Sequence, residues 1–170
     1  MIRKKKLYVR PKKAYEKIRI LEENELMNRY ALKNKKEIWR TIAKVNYFRR
    51  RAKALARESG EEQQVLFGKL KDLGLKVNNI ADVLALNIDD LLQRRLPTVV
   101  YKKGFSSTIK QARQMVVHKK ILIKNRSINS PGYLVPVAEE NLISLRINKP
   151  EIKKNAITTE QNAAKIGVVN

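Results

Sequence analysis

The sequence predicts an α+β fold: a mostly helical N-terminal block, then a small domain of two helices followed by an antiparallel sheet. An extended basic arm precedes them and a polar tail follows. Three observations carry this reading. Between residues 14 and 58 apolar side chains recur at spacings near three and four, with no Gly or Pro, as an amphipathic helix requires. Beyond residue 120 the pattern changes to short β-branched runs separated by Asn, Ser, Pro and Gly, the signature of strands and tight turns. The first thirteen residues carry seven basic side chains. Among them Leu7, Tyr8 and Val9 are too few to pack alone, and Pro11 stops any early helix. The expected divisions are an arm over 1–13, a helical region over 14–93, a second domain over 94–149 and a tail over 150–170.

The first helix is expected over about 14–32, with Ile18, Leu21 and Met27 among its apolar residues, and Lys33 to Lys36 breaking it. A second runs from about 36 to 58, where Trp39, Ile42, Ala43, Val45, Phe48 and Leu55 form a stripe and Ser59-Gly60 ends it. A third, about 61–73, turns Val65, Leu66, Leu70 and Leu73 inward, with Gly74 just past its end. Ile80, Val83, Leu84 and Leu86 mark a short apolar segment. Asn87 caps a helix over 88–96, with Asp89 and Asp90 in its first turn, where the helix dipole favours negative charge. Pro97 either kinks that helix or opens the next. Thr108 and Gln111 form a capping box for a helix from Ile109 to about His118, buried through Ile109, Ala112, Met115 and Val116. The predicted strands are Ile121–Ile123, Ser127–Asn129, Tyr133–Val137 and Leu142–Ile147, with turns at Asn125-Arg126 and Ser130-Pro131-Gly132.

The 170 residues hold 38 Lys and Arg against 16 Asp and Glu, a formal net charge of +22. Such an excess is self-repelling in an isolated domain and calls for a polyanionic partner. Nucleic acid supplies one, because each phosphate contact releases counterions. The charge is segregated. Residues 1–60 have 20 basic against 6 acidic side chains, residues 61–93 have 3 against 6, residues 94–149 have 12 against 2, and the tail is nearly neutral. Two basic blocks around a slightly acidic spacer make either two RNA-facing surfaces or one built from both.

Several function classes are excluded. With no Cys there is no disulfide and no thiolate-bound zinc. The one His, His118, has no carboxylate helpers nearby in sequence, so no metal site is expected. No apolar run approaches the roughly 20 residues that span a bilayer, and the basic N-terminus lacks the apolar stretch of a signal peptide. The expectation is a cytoplasmic protein with no membrane, cofactor or small-molecule partner. Ser106, Ser107 and Thr108 have no His base at a motif spacing, and none of the six Gly falls in a phosphate-loop pattern. No catalytic residue is assigned.

The RNA signals are stronger. The helix opening at Thr108 presents free N–H groups beside the hydroxyls of Ser106, Ser107 and Thr108, with Lys110, Gln111, Arg113 and Gln114 pointing outward, an arrangement suited to phosphate. Arg94-Arg95 and Lys102-Lys103 are eight residues apart, close to two helical turns, so they could share one stripe. His118-Lys119-Lys120 adds a third cluster, and Lys124 follows in the hairpin. Upstream, Tyr47-Phe48 sits beside Arg49-Arg50-Arg51, whose forked guanidiniums suit phosphates. An exposed Tyr could stack on a base, while Phe48 and Trp39 are read as core. In the arm, Lys4, Lys5, Lys6, Arg10, Lys12 and Lys13 are expected to order only on RNA.

The stretch RRLPTVVYKKGFSSTIKQARQMVVHKKILIKNRSINSPGYLV, residues 94–135, resembles the S-four RNA-binding domain. It carries that family's Arg95-Leu96 pair, apolar-basic run at 99–103, Ser/Thr cluster, Ala112-Arg113, Met115-Val116 and strand hairpin at 121–128. Upstream, Tyr30 to Arg40 and Phe48 to Ala52 resemble the N-terminal region of archaeal and eukaryotic ribosomal S-four proteins. The resemblance implies a structural, non-enzymatic protein of the small ribosomal subunit. It would bind small-subunit rRNA early in assembly, at a multi-helix junction of the 5′ domain. Its place would be on the body near where mRNA enters, beside the S-five and S-three proteins, with an influence on decoding accuracy. Two departures from the family pattern stand out: Lys119 where Gly often follows the helix His, and Arg126 where the hairpin turn often has Gly. The same domain serves RNA-modifying enzymes such as pseudouridine synthases. Those need a separate catalytic domain with an active-site Asp, and the remainder of this chain is too small for one. A role as a free translational repressor would use the same binding chemistry.

Overall fold

The computed structural model describes residues 6–58 and 60–146. Helices α1 (Lys17–Arg29), α2 (Lys35–Leu55) and α3 (Gly60–Asp72) are followed by two short helices, α4 (Ile80–Ala85) and α5 (Ile88–Gln93). Then come α6 (Leu96–Lys102), α7 (Ile109–Val117), β1 (Ile121–Ile123), β2 (Arg126–Ser127), α8 (Val137–Glu140) and β3 (Ile143–Leu145). The three strands form an antiparallel sheet in the order β2-β1-β3, with Ile123 opposite both Arg126 and Ile143. The α+β class and the helical block before the mixed domain are as the sequence predicts.

The long helix α2 is the central strut. Its buried residues Ile38, Thr41, Val45, Ala52 and Leu55 recur at multiples of the helical period, so one face stays apolar. It packs against α1, α3, α4 and α5. Val45, Ala52 and Leu55 join Leu66, Leu70, Val83 and Leu91 in one core. Ile38 joins Tyr30, Leu32 and Leu92 in a second. The third core, Leu96, Val99, Val100, Ala112, Val116, Ile121, Ile123, Val135 and Ile143, is built from α6, α7, the sheet and the segment before α8 that carries Val135. Val65, expected inward, is mostly exposed, because the buried side of α3 is defined by Leu66 and Leu70.

Three helices end in the same way. At the end of α7 the N–H of Lys119 bonds to the carbonyl of Val116, and that of Lys120 to Met115. This is a Schellman motif, which needs a left-handed residue at its centre. Gly74 and Gly104 fill that position after α3 and α6, both at φ +77. After α7 it is Lys119, at φ 57, the position where the S-four pattern often has Gly.

Four expectations in and around the second domain are corrected. The helix from Asn87 stops at Gln93, short of 96, and of the two roles left open for Pro97 the second holds, since it lies in the first turn of α6. Arg95, extended between α5 and α6, bridges to Leu134, flanked by two backbone bonds: Leu96 N–H to the Tyr133 carbonyl at 2.9 Å and Val135 N–H to the Arg94 carbonyl at 2.9 Å. The strand expected at Tyr133–Val137 is therefore reduced to a bridge at Leu134 outside the sheet, and it ends at Pro136, which has no N–H to continue a ladder. The hairpin turn lies at Lys124-Asn125, one residue earlier than expected. Both residues have positive φ, 50 and 63, as a two-residue type I′ turn demands. The last predicted strand, Leu142–Ile147, is shorter, Ile143–Leu145, and Ile147 lies outside the described residues.

Candidate nucleic-acid interface

The sequence treats the arginines around α6 and α7 as a surface stripe. The structure divides them. Arg95 is buried, 6 % exposed, and its Nη2 donates to Glu37 at 2.5 Å. Arg113 grips the same carboxylate with both guanidinium nitrogens, at 3.1 and 2.7 Å, and also donates to the carbonyl of Ala31 at 3.3 Å. Arg94 donates to Glu140 at 3.0 Å and to the Val135 carbonyl at 2.9 Å. The expected stripe of Arg94-Arg95 with Lys102-Lys103 is thus corrected. Arg94 caps the end of α5 and Arg95 precedes α6 in extended backbone, and both turn into the protein, where carboxylates neutralise them.

Glu37 is therefore the joint between the helical block and the second domain. It sits on the first turn of α2, where the dipole favours a carboxylate. Burial opposes its ionisation, but the hydrogen bonds and charges of Arg113 and Arg95 outweigh that and hold it down at about 2. Sequence reasoning missed it. The available signal was that Glu37 is the only acidic residue between Glu25 and Glu58, in a segment dense with Lys and Arg.

Other expected contacts remain at the surface. Arg50, Arg51, Lys102, Lys110, Gln114, His118, Lys119, Lys120 and Lys124 are exposed. Lys124 also pairs with Glu139 at 3.2 Å. Arg49 is half-buried and donates to the Leu86 carbonyl at 2.7 Å, which fixes the turn between α4 and α5. Lys103 is half-buried against the Glu140 carbonyl. At the start of α7, Thr108 Oγ1 accepts from Gln111 N–H at 3.2 Å. Gln111 Oε1 in turn accepts from the backbone and hydroxyl of Ser107, at 3.0 and 2.8 Å. Ser106 Oγ has no partner.

A groove of about 570 Å³ runs between α2 and the loop at 130–134. Arg40, Lys44 and Tyr47 line its α2 side, and Arg95, Arg113, Pro131, Gly132 and Leu134 line the other. Tyr47 is 51 % exposed and is braced edge-on by Phe48, with ring centroids 5.7 Å apart. Burial and the nearby Arg95 lower the pKa of Lys44. Arg40, Lys44 and Tyr47 follow Glu37 at helical spacing on one face of α2. That periodicity was in the sequence, but only the loop opposite makes it a groove.

Of the expected arm residues, Lys6, Arg10, Lys12 and Lys13 are described and exposed, and Lys4 and Lys5 lie outside the described residues. Tyr8 packs on Trp39, with ring centroids 6.0 Å apart. Arg19 Nη2 donates to the carbonyls of Lys13 and Ala14, at 2.9 and 3.0 Å. Its Nη1 donates to buried Glu23 at 2.7 Å, and Glu23 also accepts from Trp39 Nε1 at 2.9 Å. The arm is therefore tied to α1 and α2 by contacts that the sequence reading did not foresee. Among the described residues no group of His, Asp and Glu could hold a metal, and no helix is long and apolar enough to cross a membrane.

The mixed domain with its flanking cations defines a class, that of proteins built on an S4 domain, and residues 94–141 match the family model of that description. The helical block narrows the class. The chain is 45% identical over 139 residues to the small ribosomal subunit protein uS4 of Methanococcus aeolicus, covering 78% of each chain. It is 41% identical to the uS4 of Hyperthermus butylicus, covering 88% of this chain and 89% of the relative. With the uS4 of Methanocella arvoryzae the identity is 38%, covering 94% and 84%. The chain belongs to the uS4 family of small ribosomal subunit proteins.

Proposed function

We propose that this protein is a structural constituent of the small ribosomal subunit in the cytoplasm, where it binds rRNA. The observation that carries the reading is the sorting of its cations. Arg94, Arg95 and Arg113 are consumed inside the fold, while Arg50, Arg51, Lys102, Lys110, Lys119 and Lys120 remain exposed. An exposed surplus on a rigid frame is what a phosphate-binding surface needs. The exposed Tyr47 beside Arg40 and Lys44 adds a place where an unstacked base can lie on an aromatic face.

At finer grain, the two basic blocks act as one platform, joined through Glu37, with the acidic spacer 61–93 turned away from RNA. The protein binds early at a multi-helix junction of the rRNA 5′ domain. It lies near where mRNA enters, beside the S-five and S-three proteins, and contributes to translational accuracy. The resemblance of residues 94–135 and of the upstream block to ribosomal S-four proteins supports this. The test is sedimentation of the tagged protein in cell extract, together with its binding to a transcript of the 5′ domain. Comigration with small subunits and a steep salt dependence are expected. Migration away from small subunits, or affinity indifferent to salt, overturns the reading.

A further inference from the structure

The groove between α2 and the 130–134 loop holds more positive charge than its own walls neutralise. Arg40, Lys44, Arg95 and Arg113 line it, and among the described lining residues Glu37 is the one acid. Both Glu37 oxygens are already taken, Oε1 by Arg113 at 2.7 Å and Oε2 by Arg95 at 2.5 Å. Arg40 and Lys44 are left with no ion-pair partner among the described residues. Arg95 is buried, yet its Nη1 has no hydrogen-bond partner. The surplus is felt at Lys44, whose pKa is lowered by burial and by the charge of Arg95. Four cations around one spent carboxylate call for an anion from outside.

The walls also select what carries that anion. Leu7, Pro131 and Leu134 give the groove an apolar side, which a bare inorganic ion would leave uncovered. Lys44 stands one helical turn beyond Arg40, and the exposed Tyr47 one turn beyond Lys44. Two cations and an aromatic ring therefore lie in one row along α2. A volume of about 570 Å³ lies in the range of small-ligand sites. A paired base does not offer its faces to such a site, whereas an unstacked one does. We infer that the groove receives one unpaired nucleotide of the rRNA, with its base on Tyr47 and its phosphate between Arg40 and Lys44. That nucleotide touches α2 on one wall and the 130–134 loop on the other. It thus bridges the helical block and the second domain beside the joint that Glu37 makes.

This rests on the rRNA-binding reading and narrows it to one nucleotide, and the experiment keeps the two separable. The full chain carrying Tyr47→p-benzoylphenylalanine is irradiated in cell extract, and the adduct is mapped by reverse transcription and mass spectrometry. An adduct on one unpaired nucleotide is expected. An adduct on a protein or on a paired base, or no adduct, overturns the groove assignment. Binding to a 5′-domain transcript over a range of salt tests the two parts of the site. Tyr47→Ala should weaken binding about five- to a hundredfold, the worth of one stacked base, without changing the salt slope. Tyr47→Phe keeps the ring and should bind within about twofold of wild type. The double variant Arg40→Gln with Lys44→Gln should flatten the slope by about 0.7, the share of one single-strand phosphate. No loss in Tyr47→Ala, equal losses in Tyr47→Ala and Tyr47→Phe, or a wild-type slope in the double variant also overturns it. If the wild type neither binds the transcript nor sediments with small subunits, while the probe at 47 marks one unpaired nucleotide of another RNA, the ribosomal reading fails and the groove assignment stands.

Discussion

The carboxylate of Glu37, on the first turn of α2, lies 2.7 Å from the guanidinium of Arg113 on α7, 76 residues further along the chain. Arg95 closes on the same group from the start of α6. One acid thus neutralises two largely buried cations and holds the two halves of the molecule in register. Removing one partner of a buried pair leaves a charge without compensation, at about 3–5 kcal/mol. Glu37→Ala is expected to destabilise the protein by that order in urea unfolding. The double variant with Arg113→Met is expected to recover part of the loss, because it removes an orphaned charge. An additive double-mutant cycle would show that the pair is not coupled.

The same carboxylate makes stability depend on pH. Its folded-state pKa, at about 2, lies below the ordinary value of 4.5. Between those two values the unfolded chain binds the proton and the folded one does not. Stability is therefore fully present above about pH 4.5 and falls as pH drops toward 2, by at most about 3 kcal/mol from this group. Acid unfolding followed by circular dichroism should show this fall in the wild type. In Glu37→Gln that part of the slope should vanish.

Much of the architecture was legible because it is local. The α2 stripe, the cap at Thr108 and the strand at Ile121 all follow from neighbours within one or two turns. The strand expected at 133–137 failed for the opposite reason. Val137 instead opens α8, and the backbone partners of Tyr133 to Val135 are Arg94 to Leu96, some forty residues away; nothing in the local pattern says which edge they meet. The roles of Arg95 and Arg113 were hidden in the same way. Periodicity says which side of a helix is apolar, but not that an isolated acid on another helix will draw a polar side chain inward.

That division of labour predicts two classes of variant. Arg50→Ala, Arg51→Ala, Lys110→Ala and Lys120→Ala together remove exposed cations with no ion-pair partner among the described residues. They should leave unfolding nearly unchanged. For every phosphate that is no longer neutralised, the slope of log affinity against log salt should flatten by about 0.7–0.9. Arg95→Ala should do the reverse, lowering stability first. A quadruple variant with an unchanged salt slope would remove these four from the interface.

Gly74 and Gly104 share a φ of +77 but differ in surroundings. A Cβ at Gly74 would come within 2.7 Å of the Arg94 guanidinium, whereas at Gly104 nothing lies within 4 Å. Arg94 cannot swing away freely, being held by Glu140 and the Val135 carbonyl. Both Gly→Ala changes incur the left-handed backbone cost, about 1–2 kcal/mol. Gly74→Ala should cost more, because it also displaces Arg94 from these two partners. Equal destabilisation at the two sites would mean that Arg94 contributes little.

The last prediction concerns the arm, where the chain's one Trp is a built-in reporter. Tyr8 stacks near Trp39, and Trp39 Nε1 donates to buried Glu23. Arg19 links Glu23 to the carbonyls of Lys13 and Ala14. Burial disfavours ionised Glu23, but hydrogen bonds from Trp39, Arg19 and Lys35 prevail and lower its pKa. The network therefore keeps its charge at neutral pH. An arm that bound only RNA would leave Trp39 with the same environment whether or not Tyr8 was present. A docked arm shields the indole, so Tyr8→Ala should shift its emission to the red in the RNA-free protein, and Arg19→Ala should do so by releasing residues 13 and 14. Limited proteolysis gives an independent reading: cleavage after Lys12 or Lys13 should be slow in the wild type and several-fold faster in both variants. If both variants match the wild type in emission and in cleavage, the contacts on α2 do not hold the arm, and its order comes from RNA alone.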